Sequence, residues 1–186
     1  MTDTLIAWIT LPCLLFWSVG AYNRLRRLRA KALVAFAALD AHFAQYIALV
    51  DEHLKAASGL TLAQAVAASR EADPATAWAG LQGASTQFKA SLRVVRKQAL
   101  DAGAMAELQT AHTTLQMSWE RVRRECRAYQ ALLTSMGEQR LMDNARLASR
   151  AMGEFNQAAL AYNTAIAQFP AVVLAQLFSF RPAGSL

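Results

Sequence analysis

Residues 5–22 read LIAWITLPCLLFWSVGAY, an apolar run without a charge, and five bases follow at once: Arg24, Arg26, Arg27, Arg29 and Lys31. Ahead of the run stand only Met1, Thr2, Asp3 and Thr4. Eighteen residues at ~1.5 Å rise reach ~27 Å, about the hydrocarbon thickness of a bilayer. The bases mark the end that stays cytoplasmic, so the expected topology is N-terminus out and the bulk of the chain in. A cleaved leader carries its bases before the apolar run and small residues at the cut. Here the charge order is reversed and Ser18-Val19-Gly20 is a poor cleavage site, so the segment reads as a retained anchor. Pro12 falls mid-span, where neighbouring groups can satisfy the freed carbonyl.

Past the anchor the chain is long enough for one domain with its own core. Only eight glycines and four prolines punctuate 186 residues, and alanine is abundant; that composition favours long helices. The net charge is +6. With the collar's five bases and Asp3 set aside, 14 bases face 12 acids in the remainder. The basic excess is therefore a juxtamembrane feature, adding ~1 kcal/mol per side chain of affinity for anionic headgroups. Arg121, Arg123, Arg124 and Arg127 are interleaved with Glu120 and Glu125 and read as a solvated helix face. Nucleic acid is not an expected partner, because no basic stripe carries stacking aromatics. Cys13 lies inside the span and Cys126 far from it. No disulfide is expected, and reduced thiols suit a cytoplasmic body.

The apolar residues then recur at alternating spacings of three and four, one stripe per helix. The first stripe is Leu25, Leu28, Ala32, Phe36, Leu39, Phe43, Tyr46, Val50, Leu54 and Ala57, with Ser58-Gly59 as the expected stop. No breaker separates it from the anchor, so one helix is expected to run from membrane to cytoplasm. Asp73-Pro74 interrupts the next segment and restarts a helix, with Trp78, Leu81, Ser85, Phe88, Leu92, Val95 and Ala99 on its stripe. Asp101-Ala102-Gly103 reads as a turn. A third stripe follows: Met105, Leu108, His112, Leu115, Trp119, Val122, Cys126, Tyr129, Leu133 and Met136. Its phase breaks at Gly137, the expected site of a turn. The fourth is Leu141, Ala145, Ala148, Met152, Phe155, Ala159, Tyr162, Ile166 and Phe169, stopped by Pro170. These signals predict an all-α protein: a single N-terminal transmembrane helix continuing into an antiparallel four-helix bundle of long helices. The expected divisions are an outer N-terminus at 1–4, the anchor at 5–22, the bundle at 23–170 and an apolar C-terminal tail at 171–186. The tail is too short to span a bilayer and is expected to meet the headgroups or to cap the bundle. Parity returns the fourth helix to the membrane, placing Phe169-Pro170 beside Tyr22-Asn23.

Tyr22-Asn23-Arg24-Leu25 with Leu28-Arg29, then Ala35-Phe36 and Leu39-Asp40, directly after an N-terminal span, resemble the bacterial LemA family. Tyr162-Asn163, Ile166, Phe169-Pro170, Leu177-Phe178, Phe180 and Pro182 look like that family's C-terminal signature. The two ends together cover about a third of the chain. Members usually carry a basic pair and a Leu-Ile/Val-Pro-Asn-Leu stretch in the first helix; here that place reads QYIALVDEHL, residues 45–54, without either. The resemblance implies a single span, a helical bundle, a bacterial inner-membrane location and partnership with other membrane or envelope proteins. It implies no defined reaction.

Candidate chemistry is sparse. His42 and His53 share a side of the first helix near Asp40, Asp51 and Glu52, but no i, i+3 or i, i+4 ligand pair occurs, and they read as solvated or edge histidines. His112 reads as a core histidine bonded to a neighbouring helix. Cys126 lies four turns from it, ~21 Å along one helix, too far for a Cys–His pair. Gly80-x-x-Gly83 lacks the Lys-Ser/Thr of a phosphate loop. No catalytic residue, cofactor or metal is assigned. Asp40 and Asn163 are expected to meet and set the register of the first and fourth helices, with Asn156 as another polar position there. Tyr22, Asn23, Asp40, Asn163, Phe169 and Pro170 are the candidate interaction residues. Phe169 is expected to plug the end of the core, and Arg24, Arg26, Arg27, Arg29 and Lys31 form the membrane-surface collar. The expected function is a non-enzymatic scaffold or adaptor on the bilayer, binding a membrane or envelope protein and able to self-associate. The alternative is a lipid-binding or membrane-remodelling protein; a hydrolase or metal enzyme ranks last.

Overall fold

A computed structural model describes residues 2–64, 74–125, 135–169 and 171–186, with the side chains of 16–57, 76–125, 137–169 and 171–186. These residues are all-helical apart from short connections and the C-terminal segment, and no strand occurs among them. The elements are α1 (Thr2–Gln64), α2 (Pro74–Lys97), α3 (Ala102–Glu125), α4 (Ser135–Ala167) and the short α5 (Ala171–Leu177). Among the described residues, α1 is the one helix long and apolar enough by itself to cross a membrane; α4 and α5 qualify only if taken together as a single span bent by 95°.

α1 is continuous through Pro12 and past Ser58-Gly59 to Gln64, so the expected stop at Gly59 does not hold. A glycine at a helix end stops it only if the next residues turn away; here Leu60 and Leu62 extend the apolar sequence. Pro74 opens α2 as its first helical residue, where its missing N–H is no loss. Asp101 caps α3, its carboxylate accepting from the Ala104 N–H at 2.9 Å. Gly137 lies inside α4 rather than in a turn. A Cβ there would stand 3.5 Å from His53 Nε2, so the glycine marks a close approach of α4 to α1. Cys126, Tyr129 and Leu133 of the third stripe, and Asp73 as a cap, lie outside the described residues.

The buried faces follow the stripes. On α1 they are Leu25, Ala32, Phe36, Leu39, Phe43, Tyr46, Val50 and Ala57. Burial falls one residue off the stripe at Ala77, Ala111, Asn144 and Ala151, where Trp78, His112, Ala145 and Met152 were expected. The same happens on α1: His53 is buried where Leu54 was expected to be. Its ring stacks edge-on against Trp119, centroids 5.1 Å apart, and its Nδ1 lies 2.6 Å from the Leu49 carbonyl. An imidazole satisfied by its own helix can enter an apolar core at small cost, which is why the edge assignment of His53 fails.

Aromatic contacts tie the helices together. Phe36 meets Phe155 of α4 at 5.9 Å, and Phe43 meets Phe88 of α2 at 5.2 Å. α1 packs chiefly on α4, and α2 on α3, with α1 also against α2. Gln45 pairs with Asn144, Phe36 with Phe155 and Trp17 with Phe169, so α1 and α4 run in opposite directions. Asp40–Arg96 and Asp51–Lys89 give the same sense for α1 and α2. Arg123 of α3 approaches Glu138 of α4 at 3.8 Å at the end far from the anchor.

Candidate functional site

The end of the body next to the apolar N-terminal run brings Tyr22 together with Phe178 and Phe180, and Trp17 with Phe169. The collar side chains Arg24, Arg26, Arg27, Arg29 and Lys31 are all exposed on α1, while Leu25 beneath them is buried. Tyr22 is half-buried, with Phe178 at 5.0 Å and Phe180 at 6.0 Å, and Arg26 lies 6.0 Å above its ring. Asn23 is exposed. Phe169 is 76% exposed and meets only the rim of the body, at Trp17. It does not plug the core; Tyr162, Ala165 and Ile166 close that end instead. The helix ends at Ala167, so Phe169 has already left the stripe. Pro170 lies outside the described residues, and parity's pairing is seen one turn away, as Trp17–Phe169.

Around this end the exposed large side chains cluster: Phe16, Trp17, Phe169, Val173, Leu177 and Phe178. An open cavity of about 400 Å³ lies among Phe16, Trp17, Gly20, Arg24, Gln168 and Phe169. Its walls are apolar with one cation and one amide, a lining that suits an acyl chain with an anionic head.

Asp40 and Asn163 do not meet. Asp40 accepts from Arg96 Nε at 2.8 Å, drawn to α2 by the stronger, charge-assisted partner. Asn163 faces the C-terminal segment. It donates from Nδ2 to the Ala183 carbonyl at 2.8 Å and accepts the Ala183 N–H at 2.7 Å. Asn156 does the same for Leu186, at 2.6 and 2.9 Å. Seven helical residues rise ~10.5 Å, and three extended residues advance ~10 Å. The two amides therefore match every third residue of an extended chain. Tyr162 Oη adds a bond to the Arg181 carbonyl at 3.1 Å, and the Gly184 N–H donates to Leu100 at 3.1 Å. A Cβ on Gly184 would stand 2.7 Å from Ala102 Cα and 2.8 Å from Met105 Cβ, so only glycine fits against α3. The segment fills the side between α3 and α4 near their anchor-proximal ends, and Ala183 and Gly184 are buried there. Ser179, at φ 55°, turns the chain out of α5. The Phe180 N–H bonds the Ala175 carbonyl at 2.9 Å and the Ser179 N–H bonds Gln176 at 3.4 Å, the Schellman pattern in which glycine usually takes the left-handed place.

His112 is half-buried among Phe43, Phe88 and Tyr46, with centroids at 5.2, 5.6 and 6.3 Å. Burial pushes its pKa below the ordinary value. It is held by rings rather than by the interhelical hydrogen bond that its position in the stripe suggests. Burial raises Tyr162, with Arg29 opposing. His42 Nδ1 and Asn144 Oδ1 are buried without a hydrogen-bond partner. Among the described residues no group of three or more His, Cys, Asp or Glu side chains converges for a metal ion.

The sequence carried the two asparagines but not their target. The signal present was an i, i+7 pair of amides on one helix face, followed by an Arg-Pro-Ala-Gly stretch that cannot continue a helix. In comparisons with known proteins, no family model, no curated protein and no solved structure matches this chain.

Proposed function

We propose that the chain is a membrane-tethered, non-enzymatic helical scaffold or adaptor that binds another membrane or envelope protein. In this reading α1 to α4 form an antiparallel four-helix bundle of the LemA kind, on a single span, N-terminus out, with the bundle on the cytoplasmic side of a bacterial inner membrane. The observation that carries it is the continuity of α1: one helix, Thr2–Gln64, is both the candidate span and the central strut of the packed body. A body built on its own anchor is held at a fixed distance and tilt from the bilayer, which is what a platform for a neighbouring membrane protein needs. Its polar groups inside the body serve packing: buried Asn144 bonds Gln45, and half-buried Asn156 and Asn163 hold the C-terminal segment.

A second reading, a lipid-surface protein, is favoured by one observation. Phe169, Val173, Leu177 and Phe178 are exposed at the same end as the basic collar, the pairing that seats a surface in headgroups.

Photo-reactive residues placed at Met117 and Leu160, exposed on the body, and at Phe178 decide between them in the native cell. The adaptor reading expects a discrete protein adduct from the body positions. Lipid adducts at Phe178 with none on the body would favour the second reading. Silence at all three positions would remove both.

A further inference from the structure

The C-terminal segment is bound as a ligand is bound. Asn156 and Asn163 read its backbone N–H and carbonyl groups in pairs, and Gly184 admits it against α3 only because it lacks a side chain. None of these contacts distinguishes the chain's own segment from the same segment of another copy. The hinge is Ser179, the single non-glycine residue at positive φ among the described residues. It occupies a place that glycine fills at lower cost, and a short strained hinge is the usual setting for exchange of an element between copies. The four steps from Ser179 to Ala183 extend to ~14 Å, more than one helix-to-helix spacing of 8–10 Å, so the groove of a copy packed directly alongside is within reach. Tethering by α1 holds copies upright in one plane, with their grooves at one height.

We propose that residues 180–186 are an exchangeable arm, which leaves its own groove and seats on Asn156 and Asn163 of a second copy of this chain. The groove then closes with three components in either state: α3, α4 and one arm. The inference goes beyond the adaptor reading, since the partner it names is the chain itself; it rests on that reading's membrane tether and not on its outside partner.

The test uses the full chain in membranes, with Cys13→Ser and Cys126→Ser as background. Two differently tagged copies are co-expressed, one carrying Asn163→Cys and the other Ala183→Cys. Mild oxidation, with a short bifunctional thiol reagent in parallel, is expected to yield a crosslinked species bearing both tags. Adding Gly184→Val to the Ala183→Cys copy is expected to abolish it, because the valine is excluded from the seat. The pair Asn156→Cys and Leu186→Cys repeats the measurement if the first pair perturbs folding. Two results would overturn the proposal: a doubly substituted single chain that crosslinks only within itself while the mixed copies give no two-tag species, or a two-tag species that survives Gly184→Val and so records collision. Either leaves the photo-crosslinking result for an outside partner unaffected.

Discussion

Phe155 shows how one side chain serves two helices. It is fully buried on α4 and meets Phe36 of α1 edge to face. Phe155→Ala is expected to destabilise the detergent-solubilised protein by ~3–5 kcal/mol, read from denaturant unfolding followed by helical circular dichroism; an unchanged midpoint would contradict this packing. His112 makes a different prediction. Its folded pKa is lowered by burial from the ordinary 6.5, so the unfolded chain binds the proton first. Stability from this group is therefore intact above that value and declines as pH falls through it toward the folded pKa. His112→Phe is expected to flatten the pH dependence of the melting temperature in that window. Phe43, Trp119 and Phe155 were legible as core residues because a stripe at spacings of three and four names them directly. His53 was not, since its burial depends on a carbonyl of its own helix and on Trp119, a pairing that no single stripe encodes.

Among the elements, the C-terminal segment is the one the sequence disguised. Helices announce themselves by period, but an extended arm of seven residues, 180–186, has none, and its partners Asn156 and Asn163 lie well upstream. The amide pair fixes the segment mainly through its backbone, so the arm's own residues carry little mark of it beyond Gly184. Asn156→Ala with Asn163→Ala removes the four bonds between these amides and the arm. A net contribution of about 0.5–1.5 kcal/mol per hydrogen bond predicts a clear loss of protection. Amide hydrogen exchange at Ala183 and Leu186 is expected to accelerate at least tenfold while α1 and α2 keep their rates; unchanged exchange at Ala183 would mean the amides do not hold the arm. The end of α4 was readable to within a few residues, at Ala167, yet α1 overran Gly59, because a lone glycine costs a helix only about 1 kcal/mol and stops it only where the chain turns left-handed.

For the whole molecule the charge asymmetry sets the expectation. The five collar side chains are all exposed, with Arg26 also over the Tyr22 ring, so their charges face the surroundings of α1. A reporter fused after Leu186 is expected to read cytoplasmic. Strong alkaline phosphatase activity there would reverse the proposed orientation. Converting all five to Glu is expected to lower the cytoplasmic fraction, since orientation follows the bases.

Because α1 passes from the apolar run into the body without a joint, the azimuth of the body about the axis of α1, relative to the apolar run, is set by counting residues. Each residue inserted between Tyr22 and Leu25 turns everything beyond it by about 100° and lifts it ~1.5 Å. A single extra alanine would swing the collar and the Phe178 rim to another side of the span. Seven would bring them back to within about 20° and raise them by ~10 Å. In the proposed topology the helix thus acts as a driveshaft: whatever rotates its apolar half, a neighbouring span included, presents a different flank of the body to its surroundings.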